Sequence, residues 1–462
     1  MLPRLLSVLS WSFLVLFVRS APSISQIDNL TLDSSGIFFI SYDGVVNANS
    51  FQQNAVITYD GYEYAGWYTS TGYAILARRS LTSTSWSTLQ LPHQLSTSDS
   101  HNVISIGISP ADGVIHVALD MHSTVLYYTA SESGLATNPT RTWVASRFGT
   151  ITNTLGTLSV GSQITYPQWL VTPDNKLQFV YRTGVSGNGA GQLAEYSSGT
   201  WTNVGSWASA SGSYTADTGA VSTARNLYIH GFTYDKNGRL HVSGTWRETN
   251  AAVSCSSSGL TNHDTVYFYS DDRGRTWYNN AKTQVGTAGS NPINVNTAGI
   301  IVDSLDANHA LMNQESQTSD STGQPHIIIS YVPGRFTQCV SSYETGRVEY
   351  GRAFHLYRNS TNLWTKFEIP LDLDSVGRSQ IVLDSSDNAF VFFPYGRVMS
   401  ASKSTSWTDW TEVFTGSGMN IFGEIAIDRS RALSSSIVGI LYQKNSTGTT
   451  PSAVGVSHFT LG

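Results

Sequence analysis

Beyond residue 20 the apolar residues come in short runs of β-branched and aromatic side chains, separated by clusters of Gly, Asp, Asn and Ser. Runs of that kind between turn residues predict strands. No later stretch holds the 3.6-residue apolar spacing that an amphipathic helix of three turns requires. The pattern predicts an all-β protein.

The strands repeat. An Asp at a turn, then small or polar residues, then a strand, occurs at Asp33 (DSSGIFFISY), Asp112 (DGVIHVALDM), Asp174 (DNKLQFVYR), Asp235 (DKNGRLHVSGTW), Asp320 (DSTGQPHIIISY) and Asp384 (DSSDNAFVFF), with a weaker copy at Asp428. The mean spacing is about 66 residues. Asp and Gly suit such turns because they tolerate the positive φ of tight hairpins. Out of phase with this series, small polar residues precede a Trp at Trp86, Trp143, Trp201, Trp277, Trp364 and Trp407. The fullest copy, Ser270-Asp271-Asp272-Arg273-Gly274-Arg275-Thr276-Trp277, resembles the Asp-box of sialidase-type propellers, a structural motif. Two turn markers per unit imply four strands per unit, and one four-stranded sheet per unit is a propeller blade. Seven units predict a seven-bladed β-propeller in a single domain, residues 21–462. A strand after Asn29 and a strand over Gly455 to Leu461 are expected to share one blade and close the ring. The excess over the usual blade length of about 40–50 residues is expected in loops on one face. A pair of β-sandwiches is the alternative, but no linker-like break in composition divides the chain.

The first twenty residues differ. Arg4, an apolar run over Leu5 to Val18, and small residues before Ala21 predict a secretory signal peptide over 1–20. No other stretch is apolar for long enough to cross a bilayer, so a secreted, extracellular protein with no membrane partner is expected. Sequons at Asn29, Asn359 and Asn445 fit a glycoprotein. Cys255 and Cys339 are expected to pair in that compartment. The formal net charge is −6, and loss of Arg4 and Arg19 with the leader takes it to −8. That balance argues against a nucleic-acid partner. Few charges with abundant Ser, Thr, Gly, Tyr and Trp suit a carbohydrate ligand.

Three segments carry bulky polar residues in strand-like settings. In the first, His101 precedes one strand, and Ile115 to His122 alternates apolar residues with His116, Ala118, Asp120 and His122. That alternation predicts one apolar face and one face bearing two imidazoles and a carboxylate. The second runs from Tyr166-Pro167-Gln168-Trp169 to Tyr181-Arg182-Thr183-Gly184, and the third from Arg225-Asn226-Leu227-Tyr228-Ile229-His230 to Thr245-Trp246-Arg247. Both place polar residues at the start of one strand and an Arg at the end of the next, so neighbouring blades are expected to offer matching groups to one rim.

These segments resemble the BNR-repeat polysaccharide lyases, the group of the propeller ulvan lyases and the fungal L-rhamnose-α-1,4-D-glucuronate lyases. The likeness rests on His101 and His122 one hairpin apart, on Tyr166-Pro167, and on Tyr181-Arg182-Thr183-Gly184-Val185-Ser186-Gly187-Asn188-Gly189, and it extends from Asn54 to about Arg397. It implies β-elimination at a rhamnose–glucuronate linkage of a uronate-containing polysaccharide, plant gum, arabinogalactan or ulvan, giving a 4,5-unsaturated uronate. Such a lyase takes the C5 proton and expels the sugar on C4. Arg182 would neutralise the carboxylate, because a guanidinium stays charged and binds carboxylates bidentately. His101 has the basicity for the proton, and Tyr166 would protonate O4 or act as both base and acid, since H5 and O4 of glucuronate lie syn. His122 would polarise the carboxylate or orient the base. Tyr228, His230, Arg247 and His263 are further candidates for holding substrate. The reaction needs no cofactor; the resemblance leaves room for a structural calcium in the central channel, although no metal-binding motif is visible. A monomer is expected. Two rival functions remain: a sialidase-like hydrolase, for which an N-terminal Arg-Ile-Pro-type motif is missing, and a lectin propeller, whose binding residues should recur in every blade rather than concentrate in blades two to four.

Overall fold

The computed structural model describes residues 21–462 except 42–43, 52–53, 257–258 and 340–341; the leader expected over 1–20 lies outside the described residues. Seven antiparallel sheets follow one another along the chain. Blade 1 holds strands 56–59, 62–68, 73–80 and 87–94, and blade 2 holds 104–108, 115–119 and 127–130. Blade 3 is built on 164–171, 177–185, 188–197 and 200–208, and blade 4 on 225–234, 240–248, 262–270, 276–278 and 284–287. Blade 5 comprises 316–319, 325–331, 352–358 and 364–372, and blade 6 comprises 380–383, 389–392, 397–401 and 411–415. Blade 7 closes the ring. Its strands 426–428, 437–443 and 452–461 come from the C-terminus, and its outermost strand, Ile24–Gly36, comes from the other end of the chain, with Ile24 opposite Leu461 and Thr31 opposite Gly455. The expected closure is therefore present.

Apolar side chains fill the spaces between neighbouring sheets. Tyr64 and Leu76 of blade 1 meet Ile106 and Val117 of blade 2, and Phe390 and Val398 of blade 6 meet Ile440 and Phe459 of blade 7. The sheets approach closely: a Cβ on Gly107 would lie 2.6 Å from the Trp169 ring of the next blade. Every central strand is thus buried on both faces, which removes the in/out alternation expected of a half-exposed strand.

That burial corrects the reading of Ile115 to His122. His116 and Asp120 are both fully buried. His116 belongs to a structural repeat: the second residue of the second strand is polar and buried in five blades, Glu63, His116, Gln178, His241 and His326. Each bonds to the third strand of its own blade: Glu63 to Arg79 at 2.7 Å, His116 to the Tyr128 hydroxyl at 2.7 Å, Gln178 to Glu195 at 3.1 Å, His241 to the Tyr267 hydroxyl at 2.7 Å and His326 to His355 at 2.9 Å. A buried polar group is tolerable when it is bonded in this way.

The turn aspartates behave as expected with one correction. Oδ1 of Asp235, Asp320 and Asp384 accepts the backbone N–H groups two and four residues on, tying the hairpin between the first two strands of blades 4, 5 and 6. Asp33 is not the blade 1 copy. It sits in the outermost strand of blade 7, and the blade 1 hairpin turns at Asp60 (φ 46°) and Gly61 (φ 76°). The Asp-box is structural as expected. Asp272 accepts from the Ser270 hydroxyl and the Thr276 N–H, while the fully buried Trp277 packs on Phe268, with centroids 5.2 Å apart, and on Trp207 of blade 3. Trp143 departs from the series. It packs against Tyr64 and Arg78 of blade 1, in a segment that forms no fourth strand of blade 2.

The first strand of each blade runs away from one face of the ring and the second returns to it. The described residues of the long connections after the second strands of blades 4 and 5, within 249–261 and 332–351, lie on that face, and the second connection carries the helix Tyr343–Tyr350. Cys255 and Cys339 join these two insertions, with Cα atoms 5.4 Å apart, as the sequence leads one to expect.

Candidate active site

A cleft of about 280 Å³ opens on the same face, lined by His101, His122, Tyr166, Ser186, Tyr228 and Arg247 on one side and by Leu260, Asn313, Gln314, Tyr343 and Arg378 on the other. Segments from blades 2 to 6 reach it, so residues from all three of the stretches singled out, His101 and His122, Tyr166, and Tyr228 and Arg247, do meet.

His101 precedes the first strand of blade 2, in a loop held from below. The buried Asp120 accepts from Ser96 N–H at 2.9 Å, from Asn102 at 2.8 Å and binds His93 at 2.8 Å. His122 arrives differently from the expectation. Blade 2's second strand stops at Leu119, Asp120 takes a positive φ of 57°, and residues 122–124 pair with Ile164 and Thr165 of blade 3. That crossover brings the two imidazoles face to face, with centroids 4.1 Å apart. Phe51 continues the stack on the other side of His101 at 5.2 Å.

One carboxylate holds both rings. Asp99 Oδ1 lies 2.6 Å from His101 Nδ1, and Oδ2 lies 2.6 Å from His122 Nδ1. Such bonds assign the Nδ1–H tautomer and make Nε2 the basic nitrogen. Burial alone would raise the Asp99 carboxyl; the bonds from His101 and His122 overcome it and hold the group well below the usual carboxylate range. Burial pushes His101 below its ordinary value, Asp99 pulls it part of the way back, and His122 and Arg378 add to the lowering. His101 is thus neutral near pH 7.

Tyr166 sits where the pairing of blade 3's first two strands breaks, between Thr165 and Gln168, and it takes a φ of 60°. A bulge of this kind re-aims a side chain. The ring lies 5.1 Å from Phe51 and 6.0 Å from His101. Burial, then Tyr228, pushes its phenol well up, while Arg182 and Arg378 pull it down. The phenol is protonated at neutral pH.

Arg182 stands opposite Thr165 in the blade 3 ladder, as Arg247 stands opposite Asn226 in blade 4, which is the matching plan expected of the two segments. Arg182 lies deeper than expected. It lines a small chamber behind Tyr166 and Tyr228, with its guanidinium carbon 4.9 Å from the Tyr166 centroid. Its terminal nitrogens bond only to hydroxyls: Tyr228 at 3.2 Å, Thr165 at 2.9 Å and Ser123 at 3.3 Å. Among the described residues no carboxylate pairs with it, and its Nε has no partner. Arg378 contrasts with it, since Glu424 neutralises it at 2.9 Å. A buried guanidinium without a counter-ion is costly and suits an incoming anion.

His230 and His263 do not reach the cleft, which corrects the expectation that they hold substrate. His230 is buried, bonding the Thr245 hydroxyl at 2.9 Å and accepting the Glu315 N–H at 3.1 Å. His263 is buried between Asp264 at 3.0 Å and Glu248 at 3.1 Å and stacks on Tyr214. Both ring nitrogens of each are engaged, those of His263 within blade 4 and those of His230 between blade 4 and the segment entering blade 5. Asp99, Phe51, Asn313, Gln314 and Tyr343 escaped the sequence reading, because nothing in their local sequence marks them.

Asp99, His101 and His122 offer ligand atoms within 4.8 Å of one another, the one such group among the described residues. Two imidazoles and one carboxylate suit a metal that takes nitrogen, such as zinc, and do not suit calcium, which takes six to eight oxygens. A metal there would displace the bonds that orient the two rings.

A family model described as BNR repeat-containing family member matches residues 62–370. Ulvan lyases (long isoform) from Pseudoalteromonas sp. (strain PLSV) and Alteromonas sp. (strain LOR) are each 24% identical to the chain over 396 residues, covering 76% of this chain and 37% of theirs. The chain therefore spans little more than a third of the length of these relatives. Among solved structures, polysaccharide lyase Uly1 superimposes with a TM-score of 0.69 at 15% identity, over 94% of this chain and 99% of that one. An ulvan lyase bound to -[GlcA(1-4)Rha3S]- superimposes with a TM-score of 0.62 at 13% identity, over 93% and 95% of the two chains. At such identities these two likenesses concern the fold.

Proposed function

The chain belongs to the BNR repeat-containing family, and from that membership and its cleft we propose that it is a secreted polysaccharide lyase that breaks the bond to O4 of a glucuronate by β-elimination. The observation that carries the reading is an Asp99-held imidazole and a protonated tyrosine in one cleft, with a buried arginine that lacks a counter-ion in the chamber directly behind that tyrosine.

In this reading the uronate carboxylate enters between Tyr166 and Tyr228 and pairs with Arg182, displacing the hydroxyls that hold it. Its charge is neutralised there, which makes the C5 proton more acidic and stabilises the enolate-like transition state. His101 Nε2 takes the C5 proton. The C5–H electrons form the C4–C5 double bond, the C4–O4 bond breaks, and the Tyr166 hydroxyl gives its proton to O4. A proton passed from His101 to the Tyr166 oxygen through water in the cleft resets the site. Rings 6.0 Å apart on one wall suit a syn elimination, where H5 and O4 leave from one face of the sugar. His122, sharing Asp99, keeps the carboxylate and the His101 ring in place. Arg247, half-buried and without an ion pair among the described residues, is available to a second polar group of the substrate. A rhamnose–glucuronate linkage is the proposed target, supported by the sugar sequence bound to the structural relative.

The test is ultraviolet absorbance of the 4,5-unsaturated uronate when the protein is mixed with ulvan or with rhamnose-capped arabinogalactan. Wild-type protein is expected to generate the signal on at least one, and Tyr166→Phe and His101→Ala to lose it while staying folded. No signal on either substrate overturns the linkage; full activity in either variant removes that residue from the mechanism.

A further inference from the structure

Tyr395 has two features that seldom coincide. Its side chain is 40% exposed, and its backbone takes a φ of 63°, a conformation that is an outlier for a bulky residue. Tyr73, also exposed, has no such strain. The ring leaves a large part of its surface in water, and the positive φ means that its placement costs stability. The surroundings hold it there nonetheless. Its N–H donates to the Gly423 carbonyl at 2.8 Å, and its carbonyl presses on Gly416, where a Cβ would come within 2.3 Å. The half-buried Phe422 lies edge-on at 6.2 Å and packs in turn on Phe38 at 5.3 Å.

The position is as telling as the strain. Tyr395 sits in the connection between the second and third strands of blade 6. The corresponding connections in blades 2, 3, 4 and 5 supply His122, Ser186, Leu260 and Tyr343 to the cleft. Pro394 touches the segment that bears the cleft-lining Val376 and Arg378, lying 2.9 Å from where a Cβ on Gly377 would stand. The ring therefore projects from the rim of the same face, just beyond the end of the cleft near blade 6.

We propose that Tyr395, backed by Phe422, is a stacking platform for a sugar unit of a polysaccharide chain that extends beyond the cleft past Val376. The reading rests on the proposed lyase function for the identity of the chain. A pyranose ring presents a face of C–H groups that packs on an aromatic ring while its hydroxyls remain in water, and a tyrosine adds a polar tip. The proposal makes the site one for a polymer, with at least one binding position away from the reacting bond.

Two variants test it, Tyr395→Gly and Tyr395→Phe. On whichever of ulvan and rhamnose-capped arabinogalactan is cleaved, the glycine variant is expected to raise KM about three- to tenfold with kcat unchanged. KM on a short oligosaccharide of the same repeat, which fills only the cleft, stays the same, and the phenylalanine variant stays near wild type. The melting temperature of the glycine variant is expected to hold or to rise by about 1–2 °C, because glycine adopts the positive φ without strain. An unchanged KM on the polymer, or an equal rise on the short substrate, overturns the platform, as does a clear fall in melting temperature, which would make Tyr395 a packing residue. Retardation of the protein in gels cast with each polysaccharide separates this proposal from the lyase reading. A wild type that is retarded but does not cleave refutes the elimination alone, and the glycine variant must then be less retarded. A wild type that neither binds nor cleaves refutes both.

Discussion

Replacing Arg182 with Gln tests the link between an unbalanced buried charge and catalysis. In the absence of substrate this guanidinium is buried and held only by the hydroxyls of Tyr228, Thr165 and Ser123. Folding gains little from its charge, so removing it is expected to leave the melting temperature within about 2 °C of wild type, an amide replacing part of the hydroxyl bonding. Catalysis loses far more. A charge pair at about 4 Å in surroundings of effective dielectric near 20 is worth about 4 kcal/mol, equivalent to about a thousandfold in kcat/KM if the pairing strengthens as charge moves onto the carboxylate. Arg225→Gln is the control. Arg225 is also buried, but it is ion-paired with the fully buried Glu248 at 2.8 Å. Breaking that pair leaves an uncompensated carboxylate and is expected to cost about 3–5 kcal/mol of stability. The assay is the initial rate of unsaturated-uronate absorbance over a range of substrate concentrations, with thermal unfolding of the same preparations. A kcat/KM for Arg182→Gln within tenfold of wild type, or a fall in melting temperature as large as that of Arg225→Gln, would refute the reasoning.

Three further outcomes follow from the same geometry. Because burial, His122 and Arg378 lower His101, the acid limb of kcat/KM should fall below pH 6.5; Asp99→Asn removes the group that pulls His101 back up, so that limb should move lower still while kcat drops about 10²–10⁴-fold; a wild-type limb above pH 7 would contradict the assignment. His458 joins the outermost strand to blade 1 through Asp28 at 2.6 Å and Glu63 at 2.7 Å; burial would lower it, but these two carboxylates raise it, whereas hydrogen bonding and charge lower Glu63 against its burial. The His458 contribution is complete below pH 6.5 and is lost as pH rises through its raised value, and the Glu63 contribution is complete above about pH 4.5 and is lost on acidification, so the melting-temperature gap between wild type and His458→Asn should be widest between about pH 4.5 and 6.5 and narrow above it; a gap that grows toward pH 9 would be inconsistent. Trp277→Ala should cost about 3–5 kcal/mol in denaturant unfolding, since the indole is fully buried between blades 3 and 4, with activity per folded molecule unchanged; a selective loss of activity would place the Asp-box in function.

The blade count was legible because each turn carries its own chemistry. An Asp whose Oδ1 binds the N–H groups two and four residues on needs little from the rest of the chain, so DKNGR, DSTGQ and DSSDN announce their hairpins locally. The same locality explains the error at Asp33. Its Oδ1 accepts the Ser35 N–H, the first of those two bonds, although the residue lies in a long edge strand. The true blade 1 turn at Asp60-Gly61 uses backbone conformation instead of a side-chain bond and left only a dipeptide as its trace.

For the site, residue type marked the reacting groups and not the groups that place them. Tyr166, Arg182, His101 and His122 stood out as bulky polar residues in strand-like settings; Tyr166, His101 and His122 share a cleft, and Arg182 lies in the chamber behind Tyr166. His230 and His263 stood out for the same reason, yet His263 spends both ring nitrogens inside blade 4 and His230 spends its pair on Thr245 of blade 4 and the Glu315 N–H leading into blade 5. Nothing near them in sequence separates the two cases, because the difference is what stands opposite across a sheet-to-sheet interface. Asp99 is the converse. In Ser96-Thr97-Ser98-Asp99-Ser100 it looks like any solvated loop acid, and its role exists only because Asp120 ties down its loop while the crossover at residues 122–124 carries His122 back to it. One carboxylate can serve two imidazoles only if both rings are delivered within a hydrogen bond of it, and two blades must be in register to deliver them. The propeller therefore does more than display the site: Asp99 sets the His101 tautomer within one loop, and the pairing of residues 122–124 with blade 3 delivers the second imidazole that fixes the other carboxylate oxygen.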